Sequence, residues 1–169
     1  MENIKKAARR LHPPLCLIIK TIYLKLEELI QIIDEIVKHG LDANVRVVNK
    51  RVDLEENLVK LYSKYFEIQY ELDESNYQEF DKANFPEVIE NVRSNFTDFG
   101  WYRVVLNSEQ VLSEPELGTG DAIDDLSDII YDLLEIKWRK ETNSEQNGWW
   151  FFEHIFPRHT RPHVLGLLN

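Results

Sequence analysis

The chain has 169 residues, 43% of them hydrophobic, with four Trp, eight Phe, six Gly and six Pro, and a formal net charge of −10. A domain of this length buries about 70% of its unfolded surface and needs no disulfide or metal staple, while the acidic balance argues against a general DNA or RNA binder, which must neutralise phosphates. Sparse Gly and Pro disfavour a many-stranded sandwich, so the expectation is an all-α, single-domain helical bundle of about five helices over residues 1–169.

The charge is unevenly spread: twelve Lys/Arg against nine Asp/Glu over residues 1–64, and eight against twenty-one over residues 65–169. Residues 1–12 form a basic N-terminal arm carrying Lys5, Lys6, Arg9 and Arg10. This arm and the apolar run after it imitate a signal peptide. Lys20 and Lys25 interrupt that run, however, no small-residue cleavage site is present, and helical periodicity continues to Val37. No segment approaches the ~20 apolar residues that span a bilayer. The single cysteine, Cys16, sits inside the apolar run and reads as a buried reduced thiol, which fits a reducing cytoplasm. The Asn95-Phe96-Thr97 sequon then reads as an accident of composition.

Pro13-Pro14 suits the opening of a first helix. Leu15, Ile18, Ile19, Ile22, Leu26, Leu29, Ile30, Ile33 and Ile36 come next at three-and-four spacing, and Gly40 is expected to end the helix as a left-handed cap. Residues 45–52 are ambiguous. Asp53 reads as the N-cap of a second helix, with Glu56 completing a capping box. Leu54, Leu58, Leu61, Tyr65, Ile68 and Leu72 form its apolar seam, which packs most simply on the first helix. Residues 73–81 are acidic and turn-like or briefly helical. Pro86 starts a third helix with Ile89, Val92 and Phe96 on one side, broken at residues 97–100. Residues 101–106 are either a short strand or one more helical turn, an irregular segment that periodicity does not decide, and residues 107–120 are a loop. Asp121 caps a fourth helix to about Lys140, and Ser144 caps a fifth carrying Trp149-Trp150-Phe151-Phe152, an aromatic run that must cover neighbouring elements. Pro157 and Pro162 kink or split the C-terminal segment.

The fourth helix bears the first candidate chemistry. Asp121, Asp125, Asp128, Asp132 and Glu135 alternate by four and three along one stripe, with Asp124 beside them and Ile123, Leu126, Ile130 and Leu133 opposite. A solvated helix face accounts for such a stripe, and the helix dipole favours its first acids. Yet Asp121/Asp125, Asp124/Asp128 and Asp128/Asp132 are like-charge pairs at i,i+4, each costing roughly 0.2–0.5 kcal/mol. No Lys or Arg occurs on this helix before Lys137. The stripe therefore wants a counter-charge: Arg158, Arg161, a basic partner or a divalent metal.

His154, His159 and His163 are the second candidate feature. Histidines four apart on a helix can share a metal, although Pro162 is expected to leave His159 ahead of a helix start. Phosphate loops, dinucleotide glycine patterns and zinc-finger spacings are absent.

Two function classes remain open. One is a non-enzymatic interaction or regulatory module that docks a basic protein partner on Asp121, Asp125, Asp128, Asp132 and Glu135, without nucleic acid or membrane. The alternative is a metal-dependent hydrolase holding a divalent metal with Asp124, Asp125, Asp128, Asp132, His159 and His163. A homodimer formed through the 15–37 helix is a third expectation.

Three segments carry a family resemblance: Asn95-Phe96-Thr97-Asp98-Phe99-Gly100-Trp101-Tyr102, then residues 120–133 with Asp124-Asp125-Leu126-Ser127-Asp128 at their centre, then residues 156–163. Over about the last 75 residues the chain resembles the bacterial domain-of-unknown-function family 5063, which has an acidic Asp-Asp-Leu run and a closing pair of histidines four apart. This chain adds an Ile ahead of Tyr131, has Thr160-Arg161 where that family has Trp-Gly, and flanks His159 with prolines. The resemblance implies a helical fold and a bacterial, cytoplasmic origin, and it implies no activity.

Overall fold

A computed structural model describes residues 13–67, 73, 75, 77–107, 110 and 113–169, with side chains from Leu24 onward. The basic arm, the side chains of Cys16, Ile18, Ile19 and Ile22, and residues Ile68 and Leu72 lie outside that set. Helix α1 spans Pro13–Leu41 and α2 spans Lys50–Tyr65. After a short 3-10 turn at Lys82–Asn84 comes α3, Val88–Asn95. Strands β1 (Trp101–Val105) and β2 (Leu117–Asp121) form an antiparallel pair, followed by α4 (Ala122–Thr142) and α5 (Glu145–Ile155). A π-helical turn at Phe156–Thr160 leads without a break into α6, Arg161–Leu168. The architecture is a mostly helical bundle of five rods, counting α5, the π turn and α6 as one, with a two-stranded appendage.

Helix α4 is the hub and packs against α1, α3, α5 and α6. Its apolar positions Leu126, Ile129, Ile130 and Leu133 are fully buried, facing Leu29, Ile33 and Ile36 of α1, Val92 of α3 and Phe152 of α5 within one core cluster. At roughly 1.5–3 kcal/mol for each fully buried large side chain, this cluster is the main source of stability. Helix α2 packs on α1 through Leu54, Leu58 and Leu61, as its four-and-three seam predicts. The aromatic run divides as expected. Trp149 and Phe152 enter the core, the Arg139 guanidinium lies 4.3 Å over the Phe151 ring, and Trp150 stacks on His154.

Several local expectations are corrected. Helix α1 does not stop at a left-handed Gly40: it continues to Leu41, and no described residue has positive φ. Gly40 serves close approach instead, because a Cβ there would lie 2.8 Å from Ile130 Cγ2 on α4. The cap of α2 is Asn49, whose side chain accepts from the Val52 amide at 3.3 Å. Asp53 lies one turn inside the helix and takes the Lys38 ammonium at 2.9 Å. Helix α3 starts at Val88, which is buried, and it exposes Ile89. Residues 117–120, expected in a loop, belong to β2, with Tyr102 opposite Gly120 and Arg103 opposite Thr119.

Around the prolines, the chain does not split: helical hydrogen bonding runs through a π turn from α5 into α6. Proline at position 162 clashes in an α-helix with the carbonyl of residue 158 and cannot donate its own hydrogen bond. Widening the preceding turn relieves that conflict: the Arg161 amide bonds back to the Phe156 carbonyl, five residues earlier. His159 therefore sits within the helical rod and not ahead of it.

Among the described residues, no helix is long and apolar enough to cross a membrane.

Candidate metal centre

The acidic stripe of α4 is not a solvated face. The π turn and α6 pack along it, leaving Asp125 and Asp132 only 8% and 5% exposed. For Asp125 and Asp132 the partners are imidazoles and hydroxyls, while Glu135 at the end of the stripe takes Arg139. His163 Nδ1 lies 2.7 Å from Asp125 Oδ1, and His159 Nδ1 lies 2.8 Å from Asp132 Oδ2. An ionised carboxylate only accepts, so in each pair the ring nitrogen donates. Thr160 Oγ1 donates a further bond to Asp132 Oδ2 at 2.7 Å, and the Tyr102 hydroxyl reaches from β1 to donate to Asp125 Oδ2.

Helix geometry explains the meeting. Residues 125, 128 and 132 lie on one face of α4 by three-and-four spacing, and His159 and His163 stand four apart on the rod that covers that face. The two imidazole rings sit 4.9 Å apart, close to edge-on. Asp128 stands between the two Asp–His pairs, with its Oδ2 at 3.7 Å from His163 Nε2. One ligand atom from each of Asp128, His159 and His163 lies within 4.8 Å of those of the other two, and all three side chains are half-buried.

Burial and charge leave marks on the titration of these groups. The hydrogen bond it donates to Asp125 holds the His163 pKa above its ordinary value, against the opposing effect of burial, and the fields of Asp125, Asp128 and Asp132 add to it. Burial pushes the Asp132 carboxyl up, partly offset by its bonds from His159 and Thr160 and by the charge of Lys82. Burial, and then the bond to Asp125, raise Tyr102 well above the usual phenol range, which keeps it a proton donor.

Of the six residues expected at a metal site, five converge: Asp125, Asp128, Asp132, His159 and His163. Asp124 is exposed and stands apart. His154 turns away from the cluster to stack on Trp150 and to accept from Arg158, so neither it nor Arg158 serves the acids. Of the residues expected to dock a basic partner, Asp125 and Asp132 are buried. Asp121 is held by its cap bond to the Ile123 amide at 2.9 Å, and Glu135 pairs with Arg139 at 2.7 Å. Sequence reasoning missed Thr160 and Tyr102. Thr160 adjoins His159 in the chain, a usable signal; Tyr102 lies on a separate hairpin, and nothing in its local pattern links it to α4.

The cluster has the logic of a metal centre. A metal-binding histidine usually gives its second ring N–H to a carboxylate, which fixes its tautomer and orientation. Here both histidines do so, leaving Nε2 as the basic nitrogen of each ring, and that of His163 lies 3.7 Å from the Asp128 carboxylate. Two imidazoles and one carboxylate form a donor set suited to Zn, Fe or Mn. Compared with protein-family models, with curated proteins and with solved structures, the chain shows no match.

Proposed function

We propose that this protein is a metal-dependent hydrolase that binds one divalent transition-metal ion through Asp128, His159 and His163, with Asp125 and Asp132 orienting the two imidazoles. The observation that carries the reading is the pair of Asp–His hydrogen bonds, which hold two imidazoles by Nδ1 while a ligand atom of each stays within 4.8 Å of the others and of the Asp128 carboxylate. Three protein ligands leave coordination positions for water and substrate, and a metal so held lowers the pKa of bound water toward neutrality. Asp125 accepts from His163 and Tyr102, and Asp132 accepts from His159 and Thr160, and carboxylate oxygens so engaged suit the supporting role. A bound cation would also neutralise the mutual repulsion among the acids of α4.

Elemental analysis of protein purified without chelator tests the binding, together with melting temperatures in Mn²⁺, Zn²⁺ and Mg²⁺. The expected result is one equivalent of metal, and a melting temperature that rises with Mn²⁺ or Zn²⁺ more than with Mg²⁺, which prefers oxygen donors. Absence of metal and of any thermal shift would overturn the reading. Hydrolysis is then checked with phosphate-ester and carboxylate-ester substrates before and after chelation.

A further inference from the structure

The Tyr102 side chain links the β hairpin to the cluster. Its hydroxyl donates to Asp125 Oδ2, the oxygen that His163 does not use. With Oδ2 held by the phenol, Oδ1 is left for His163 Nδ1, and rotation of the carboxylate would break one bond or the other. Two glycines make room for this reach, one on the hairpin and one on α6. Gly120 lies opposite Tyr102 in the ladder, where a Cβ would run into the phenol ring; at Gly166 of α6 a Cβ would overlap the hydroxyl and stand 3.3 Å from Asp125 Oδ2. Tyr102 is thus threaded between a strand and a helix to reach one oxygen of one carboxylate.

From this we infer that Tyr102 is a positioning residue of the metal site: it locks Asp125, which locks His163, and the β1–β2 hairpin is thereby a working part of the centre. The inference rests on the metal reading above. Carboxylates that orient a ligating histidine matter about 10–100-fold in metal affinity, and Tyr102 acts one bond further out, through Asp125.

The test is calorimetric titration of the full chain with Mn²⁺ and Zn²⁺. Tyr102→Phe should weaken binding about tenfold, at the lower end of that range, whereas Tyr77→Phe, which removes a hydroxyl bonded to Ser144 at 3.3 Å, should leave it unchanged. Gly166→Ala should weaken binding in the wild-type background. In the Tyr102→Phe background the hydroxyl it collides with is gone and the next ring atom lies at 3.4 Å, so the same methyl should cost little more. Gly120→Ala, which meets the ring itself, should gain no such relief. Nitrogen-15 spectra of the metal-free protein add a second readout: the His163 Nδ1–H tautomer should be well populated in the wild type and less so in Tyr102→Phe. A wild type that binds no metal overturns the metal reading and this inference with it. Metal binding by the wild type with an unchanged Kd in Tyr102→Phe, or additive effects of Gly166→Ala and Tyr102→Phe, overturns this inference alone.

Discussion

Two seams in this molecule bury polar groups between helices, and they end differently. Where α1 meets α3, Asn95 donates to the carbonyls of His39 at 3.0 Å and Asp42 at 2.6 Å, and its oxygen accepts from the Val45 amide at 3.1 Å and Lys50 at 2.8 Å. Asn91 donates to the Gly40 carbonyl at 2.8 Å. Every valence of Asn95 is used, mostly on the backbone that frays as α1 ends. Where α4 meets the C-terminal rod, Asp125 and Asp132 each hold a histidine through Nδ1. That leaves Nε2 of each ring outside the bond, and His163 Nε2 lies 3.7 Å from Asp128 Oδ2. A saturated network closes a fold. A network that stops one bond short leaves nitrogens that can still take a partner, and the proposed metal is that partner.

The sharpest way to break the comparison is to cut the saturated knot. Asn95→Ala removes four hydrogen bonds and strands buried backbone groups of α1, so it should cost about 4 kcal/mol of folding stability, read by urea denaturation. Metal affinity should not change. The same bonds explain why the Asn95-Phe96-Thr97 sequon is not a glycan site in this fold: the amide is buried and fully engaged.

Beside that knot lies a histidine of the opposite kind. His39 is fully buried against Phe96, neither ring nitrogen has a hydrogen-bond partner, and Asp53 Oδ2 stands 3.8 Å away. Burial, then the charge of Lys38, lowers its pKa to about 4, against the pull of Asp53. The folded state thus refuses a proton that the unfolded chain takes up near its ordinary 6.5. Stability contributed by the neutral ring is complete above pH 6.5 and is lost as pH falls toward 4. The gap corresponds to about 3 kcal/mol. His39→Leu should flatten that part of the stability-against-pH curve without lowering the neutral-pH plateau, since it strands no partner. A curve equally steep in both proteins would sink the assignment.

At the unsaturated seam, Asp128→Ala should do the reverse of Asn95→Ala. Metal affinity should fall on the order of a hundredfold or more, while the metal-free protein keeps its melting temperature within a few degrees, because Asp128 is half-buried and its nearest ion-pair contact is long, at 3.7 Å. His163→Ala should match it in affinity. If Asp128→Ala instead unfolds the protein, the seam is a clasp like the first, and the contrast between them disappears.

How far these seams were legible in the sequence depends on the range of the signals involved. The stripe of α4 and the cap at Asp121 are local and periodic, and both are found as expected. Convergence of His159 and His163 on that stripe is half-legible: their spacing is helical, yet their meeting with acids 27 and 38 residues earlier depends on how the rod folds back. The π turn hides behind two prolines that ordinarily announce a break. Strand β2 has no apolar alternation, since Gly118, Thr119 and Gly120 offer none, and it exists because β1 lies beside it. The Asn95 knot is invisible locally, because an asparagine at a helix end reads as a generic stop.

The smallest expected effect separates roles within the metal seam itself. Asp132 accepts from both His159 and Thr160 on one oxygen, Oδ2, and so serves the cluster through its neighbours. Asp132→Asn keeps the shape but turns one oxygen into a donor, which can no longer accept the His159 Nδ1 proton if it points that way. If it points the other way, the bond survives but loses its charge. Either outcome weakens the orientation of His159 without removing a ligand, so metal affinity should fall about tenfold, near 1.4 kcal/mol. Folding stability should stay level or rise, because the uncharged amide avoids the desolvation that pushes the Asp132 carboxyl up. A hundredfold loss, equal to that of Asp128→Ala, would make Asp132 a ligand and move the centre deeper between α4 and the π turn. No loss at all would mean that His159 is oriented by its neighbours in the rod, and only Asp125 would keep the orienting role.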